Sequence, residues 1–225
     1  MESKQYDLCL TVLSRLRDAG VLDHLVLVGS WCLLLYRHYF EKVGPVYAVR
    51  TRDMDFLIPE QKQFRKSVDV PALLSDLGFL KSLRGSDGIL ILEHPELMIE
   101  FLVPERGRGE SGVRDIPELS MNAQPLRFMD IPSMLSIDLP FGDVLVKAPH
   151  PAAFALHKLL VASRRSKAFK KEKDFADALH VLELLSKKDE LCVVRDLLAR
   201  FPQTWQKQIR SSLADYSELR AAISP

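Results

Sequence analysis

The sequence predicts a mixed α/β (α+β) chain: a mixed sheet flanked by helices over residues 1–148, followed by a helical region over 149–225. Three observations predict it. Short β-branched and leucine-rich runs alternate with amphipathic stretches through the first part of the chain. Glycine and proline punctuate those runs as turns. Beyond Pro149 the strand-like runs stop, and apolar residues recur at helical spacing to the end.

Residues 5–18 place Leu8, Val12, Leu13 and Leu16 on one helical face, and Gly20 ends the run. His24–Gly29, HLVLVG, reads as a short strand that turns at glycine into the helix SWCLLLYRHYF, with Ser30 as its N-cap. KVGPVYAV is a loop into the strand RTRDMDFLIP, where Met54, Phe56 and Ile58 alternate with Asp53, Asp55 and Leu57. Residues 61–78 read as a helix interrupted near Pro71 and ending at Gly78. RGSDG at 84–88 is turn material, and GILILEHP and ELMIEFLVP form an antiparallel pair joined at 94–96. ERGRGESGVRD, 105–115, reads as a mobile loop, and short strands broken by prolines follow to Val146. Helices are expected at 151–164, 171–187, 189–200 and 203–222.

The 31 basic and 30 acidic side chains nearly cancel, so any nucleic-acid contact has to come from a local patch rather than a global cationic field. Cys9, Cys32 and Cys192 are far apart and have no metal-ligand spacing, which predicts buried, inert thiols in a reducing cytoplasm. The charged amphipathic N-terminus lacks the apolar run of a secretion signal, and Leu22–Tyr36 is too interrupted to span a membrane. Six scattered histidines give no zinc pattern.

The chemistry-bearing residues begin with Asp53 and Asp55. On a strand, alternate side chains share a face, so the two carboxylates stand about 6–7 Å apart along the backbone, a spacing one divalent ion can bridge. Mg²⁺ (or Mn²⁺) takes oxygen ligands of this kind together with substrate phosphates. The alternative is that they line the wet face of an edge strand. Glu100 stands in the middle of an otherwise apolar run, where a carboxylate needs either a metal or an Arg or Lys partner. Gly29-Ser30 lies at a strand-to-helix turn, which suits either phosphate binding or simple capping. Neither a GxxxxGK[ST] loop nor a GxGxxG fingerprint is present.

The order of Leu25–Ser30, Thr51-Arg52-Asp53-Met54-Asp55-Phe56 and Ile99-Glu100-Phe101 resembles the DNA polymerase β-like nucleotidyltransferase superfamily. Within it the chain looks most like the minimal bacterial AbiEii/MenT-type enzymes. The resemblance covers about residues 20–180 and extends to Lys158 and to Lys173-Asp174-Phe175-Ala176-Asp177. It implies that Asp53, Asp55 and Glu100 hold the metal. It also implies that Gly29, Ser30, Thr51, Arg52, Lys158, Asp174 and Asp177 bind the nucleotide, with Lys158 neutralising triphosphate charge. The alternative for the helical residues is that Lys158 faces solvent and Asp177 pairs with it. Trp31 after the serine and the long Ser30–Thr51 interval depart from the pattern.

The implied activity is Mg²⁺-dependent transfer of a nucleoside monophosphate from an NTP to an acceptor hydroxyl, with an RNA or tRNA 3′ end as one acceptor. Arg164, Arg165, Lys167, Lys170, Lys171 and Lys173, and the loop residues Arg106, Arg108 and Arg114, are the local cations available for a polyanion. A catalytically weak NTP-binding module in a regulatory or toxin–antitoxin complex is the competing expectation. A metal-dependent hydrolase is the third.

Overall fold

The structure is a computed structural model in which residues 3–48, 51–59, 64, 66–107, 110 and 112–224 are described. Helix α1 (Ser3–Asp18) buries Cys9, Val12, Leu13 and Leu16 at i, i+3, i+4 spacing. It ends at Gly20, whose N–H donates to the Arg17 carbonyl at 2.8 Å. Strand β1 (Val26–Val28) turns at Gly29 into α2 (Trp31–Tyr39), and β2 (Asp53–Leu57) follows. Then come α3 (Val70–Leu74), β3 (Leu80–Arg84), β4 (Ile89–Glu93), β5 (Met98–Pro104), β6 (Arg114–Ile116) and β7 (Met121–Leu126). A short helix α4 (Asp130–Met134) leads to the hairpin β8 (Ser136–Phe141) and β9 (Val144–Pro149). The helical region consists of α5 (Pro151–Ala162), α6 (Ala168–Lys187), α7 (Leu191–Ala199), α8 (Gln203–Ser212) and α9 (Ser217–Ala222).

Among the described residues the main sheet is mixed, with strand order β1-β2-β5-β4-β3, β7 beside the far half of β5, and β6 on β7. The β2–β5 and β5–β7 pairs are parallel and the others antiparallel. The sheet's two faces are unequal. Leu27, Met54, Phe56, Ile99 and Phe101 join the main core shared with α1 and α2, with Phe56 and Phe101 stacked at 6.0 Å. The opposite face carries only a small apolar cluster, Val26, Val28, Leu57, Leu102 and Met129, and it is the face of Asp53, Asp55 and Glu100. A strand that buries one side completely can therefore spend its other side on carboxylates.

Several sequence expectations need correction. Pro71 starts α3 rather than interrupting a longer helix: Asp69 caps it by accepting from the Ala72 N–H, and the missing proline N–H costs nothing in the first turn. Residues 61–63 and 65 of that expected helix lie outside the described residues. The expected helix 203–222 is two helices, because the chain leaves helical geometry at Leu213 and resumes it only after Tyr216, whose ring packs edge-on against Phe175. The 105–115 stretch is not all loop, since Arg114 begins β6 and pairs with Glu110, while Arg108 lies outside the described residues. Cys192 is exposed, unlike Cys9 and Cys32. No described helix is long and apolar enough to cross a membrane.

Candidate active site

The parallel register of β2 and β5 puts Asp55 directly opposite Glu100 and Asp53 opposite Met98. Neighbouring strands run about 4.8 Å apart, so Asp53, Asp55 and Glu100 share one patch of the sheet face. Asp53 is exposed, Asp55 is half-buried, and Glu100 is 4% exposed. Gln5 fixes how the two strands enter this patch. Its amide donates to the Thr51 and Glu96 carbonyls, both at 2.9 Å, at the entrances to β2 and β5.

Gly29 closes the patch on the β1 side, with a φ of +74° in the left-handed region that favours glycine. A Cβ at this position would meet Asp55 Oδ2 at 2.8 Å, so the carboxylate rests on the bare backbone of the turn. Burial, then the charges of Glu100 and Asp53, push the Asp55 carboxyl up to about 7, against the pull of Arg84 and Lys158. The patch is thus short of positive charge.

Glu100 has a partner of its own. The Arg84 guanidinium contacts both carboxylate oxygens, Nη1 on Oε1 and Nη2 on Oε2. The arginine partner that the sequence reading allowed for Glu100 is therefore present. Among the described residues no group of three or more His, Cys, Asp or Glu side chains is placed to hold an ion.

Ser30 occupies the N-cap position of α2 but makes no capping bond, because its backbone is already helical at φ −70° and ψ −18°. Its hydroxyl instead accepts from Lys173 Nζ at 2.6 Å, tying α6 to the turn. Lys158, on α5, is 8% exposed and does not face solvent. It forms ion pairs with Asp174 and, at 3.4 Å, with Asp177, and Asp174 also accepts from Arg165 Nε at 2.9 Å. Burial pushes the Asp174 carboxyl up, but Lys158 and Arg165 outweigh it and hold it below the usual range. Asp177 is shifted the other way, with burial prevailing over Lys158 and Lys173.

α2 and α5, which flank this region, are locked together. The buried Tyr36 hydroxyl donates to the Pro149 carbonyl at 2.7 Å. His150 accepts the Ala152 N–H at Nδ1, so the neutral ring carries its proton on Nε2 and donates it to the Tyr39 hydroxyl at 2.8 Å. Tyr39 in turn donates to Glu190 Oε2 at 2.5 Å.

Between the carboxylate patch and α5–α6 lies a cavity of about 350 Å³. Gly29 and Asp55 line one side; Lys158, Arg164 and Arg165 line the other, and Phe128 and Phe154 supply apolar wall. Phe128 sits at φ +67°, with Arg127 and Arg164 over its ring at 5.3 and 5.1 Å. His157 faces the same cavity with a buried Nε2 that has no hydrogen-bond partner. Its pKa is lowered to about 3, mostly by burial and then by Lys158, so the ring is neutral.

Of the residues expected from sequence, Gly29, Asp55, Lys158 and Asp174 line this cavity, and Asp53, Glu100, Ser30 and Asp177 adjoin those residues. Thr51 and Arg52 are not among the residues that line the cavity. The Thr51 hydroxyl accepts from the Asp53 N–H, and Arg52 donates to the His94 carbonyl at 2.9 Å. Arg84, His157 and Phe128 have no site role in the sequence reading, and Arg165 and Lys173 enter it only as part of a motif or as cations for a polyanion. Arg84 had a signal: it shares the period-2 face of β3, and a buried glutamate calls for a cation.

The α+β sheet sets an acidic strand pair beside a glycine turn, with cationic helices facing it across one cavity. The chain belongs to the Nucleotidyltransferase family, whose sequence pattern matches residues 8–199. It is therefore an enzyme of the nucleotidyltransferase class. No curated protein matches it by sequence. In fold it resembles an antigenic nucleotidyltransferase-like protein from Paracoccidioides brasiliensis, at a TM-score of 0.56 and 17% identity over 100% of this chain and 95% of that one. It also resembles the antibiotic-resistance factor ANT(2″)-Ia in solution, at a TM-score of 0.50 and 12% identity over 97% of each chain. A crystal structure of ANT(2″)-Ia with adenylyl-2″-tobramycin aligns at 0.49 and 12% identity, over 86% of this chain and 98% of that one.

Proposed function

We propose that the chain transfers a nucleoside monophosphate from an NTP to an acceptor hydroxyl, using Mg²⁺ or Mn²⁺ held by Asp53, Asp55 and Glu100. The observation that carries this reading is the pairing of Asp55 with Glu100 across β2 and β5, beside the bare turn at Gly29 and across a cavity from Lys158. The donor set is all oxygen and its charge is uncompensated at Asp55, which fits a hard divalent cation. When bound, such ions neutralise phosphate charge and make the attacking hydroxyl more acidic.

The chain's own residues would do the rest. The Gly29-Ser30 turn receives the β- and γ-phosphates, with Lys173 at the Ser30 hydroxyl and Lys158 on the facing helix supplying positive charge. Asp174 is a positioning residue, since it holds Lys158 and Arg165 on the cavity wall. Glu100 takes the proton of the acceptor hydroxyl as that oxygen bonds to the α-phosphorus, while the bond from the α-phosphorus to its bridging oxygen breaks and pyrophosphate leaves. The 149–225 helices complete the cleft as a second unit in this reading.

For the acceptor, the arginine rim of Arg127, Arg164 and Arg165 favours an anion such as an RNA 3′ end and disfavours a polycation such as tobramycin. Lys167, Lys170 and Lys171 extend the exposed positive charge past α5. One observation favours the competing reading of an NTP-binding module with little turnover: Arg84 occupies Glu100. Each α-labelled NTP, incubated with Mg²⁺ and total cellular RNA, distinguishes the two. Label in RNA with wild type, and none with Asp53→Ala or Asp55→Ala, supports transfer. NTP binding without label transfer or pyrophosphate release contradicts it.

A further inference from the structure

Arg84 reaches Glu100 from an unusual place. It is the last residue of β3, which hydrogen-bonds only to β4 among the described strands and forms the sheet edge. Its side chain must cross β4 to meet a carboxylate on β5, about two strand spacings or ~10 Å away. The Arg84 side chain is 44% exposed and the Glu100 side chain 5%, so the guanidinium enters from solvent to seal a buried group. Beyond it the chain turns through 85–88, with Gly85 and Gly88 both at positive φ and only open space where a Gly88 Cβ would be. Residues 83–87 of this hairpin end are exposed, while buried Asn122 ties its base by donating to the Gly88 carbonyl and accepting from the Leu90 N–H.

We propose that Arg84 is the gate of the carboxylate site: its guanidinium holds Glu100 closed to divalent cations in the nucleotide-free protein and swings out when metal enters. This rests on the metal-site reading above. One fact carries it beyond that reading. Both Glu100 oxygens are engaged by the same fork, so neither is free to meet an ion while the pair holds. Metal and guanidinium compete for one carboxylate, so metal affinity in the free protein is reduced by the strength of the ion pair. A lysine at this position would keep the charge but lose the two-pronged fit.

The test is Mn²⁺ titration of nucleotide-free protein, following free Mn²⁺ by electron paramagnetic resonance, with circular dichroism confirming the fold of each variant. The expected result is that Arg84→Gln tightens Mn²⁺ binding by about tenfold or more, and that Arg84→Lys falls between it and wild type. In the double variant Arg84→Gln/Glu100→Gln, which removes both members of the pair and leaves no buried charge unpaired, the gain disappears. Unchanged or weaker Mn²⁺ binding in a folded Arg84→Gln protein overturns the gate and makes the pair merely structural, as does a gain that survives Glu100→Gln. The outcome is separable from nucleotidyl transfer. Tighter Mn²⁺ binding without label transfer keeps the gate and sinks the activity; label transfer by wild type with no change in Mn²⁺ binding does the reverse.

Discussion

Asp55→Asn should stabilise the metal-free protein at neutral and alkaline pH. The wild-type carboxyl goes from an ordinary value of 3.8 to about 7 on folding, because burial, Glu100 and Asp53 all oppose its charge. A folded-state value that is raised means a contribution fully present below the unfolded pKa and lost as pH rises through about 7. A shift of about three units corresponds to about 4 kcal/mol at ~1.36 kcal/mol per unit. Asp55 is only half-buried and its charge also serves Arg84 and Lys158, so about 2 kcal/mol is the expected net gain for the isosteric amide. For a chain of this size that raises Tm by roughly 4–8 °C at pH 8. The gain should shrink steadily below pH 7 and nearly vanish at about pH 4. Mg²⁺ should then raise the Tm of wild type at pH 8 and leave the amide variant nearly unmoved. Thermal melts at pH 4, 6 and 8, with and without Mg²⁺, provide the assay. A variant less stable than wild type at pH 8, or a gain independent of pH, would refute the reasoning.

Gly29→Ala places a methyl group 2.8 Å from Asp55 Oδ2 at a left-handed φ, so a stability loss of about 1–2 kcal/mol and a kcat/KM loss of about a hundredfold are expected from melts and steady-state kinetics. Lys158→Met strips the buried Asp174 and the half-buried Asp177 of their shared cation; denaturant unfolding should show a loss of about 3 kcal/mol, and NTP binding measured by calorimetry should weaken more than Mn²⁺ binding. Tyr39→Phe breaks both hydrogen bonds that link α2 to His150 and Glu190, at a cost of about 1–2 kcal/mol, with hydrogen exchange increasing first at the start of α5.

Much of the sheet could be read from local pattern. The alternation of Met54 and Phe56 with Asp53 and Asp55 assigns faces before any coordinates are known, and the apolar run around Glu100 marks a strand covered on both sides. What local pattern does not contain is which strands become neighbours. The parallel β2–β5 pair joins residues some forty-five positions apart, and only the assembled sheet puts Asp55 beside Glu100. The same limit explains the site residues that were passed over. Arg84 lies in a turn-like glycine sequence, and Lys173 and Arg165 lie in a basic stretch that resembles a solvated connection until α6 folds back against Gly29-Ser30. Arg52 illustrates the converse. It neighbours Asp53 in sequence, but period-2 geometry sends it to the other side of the strand, where the β4–β5 turn offers a carbonyl. Helix ends were less legible because capping depends on the backbone dihedral. Ser30 has the right side chain for a cap but the wrong φ and ψ.

The most direct test of the account is where metal binds when the substrate is present. Crystals grown with Mn²⁺ and a non-hydrolysable NTP analogue, measured at the manganese absorption edge, should show anomalous peaks in direct contact with Asp53, Asp55 and Glu100. The triphosphate should lie between those peaks and Lys158, with Arg84 turned away from Glu100. Manganese and nucleotide bound elsewhere, with the Arg84–Glu100 pair intact, would contradict the account at its centre.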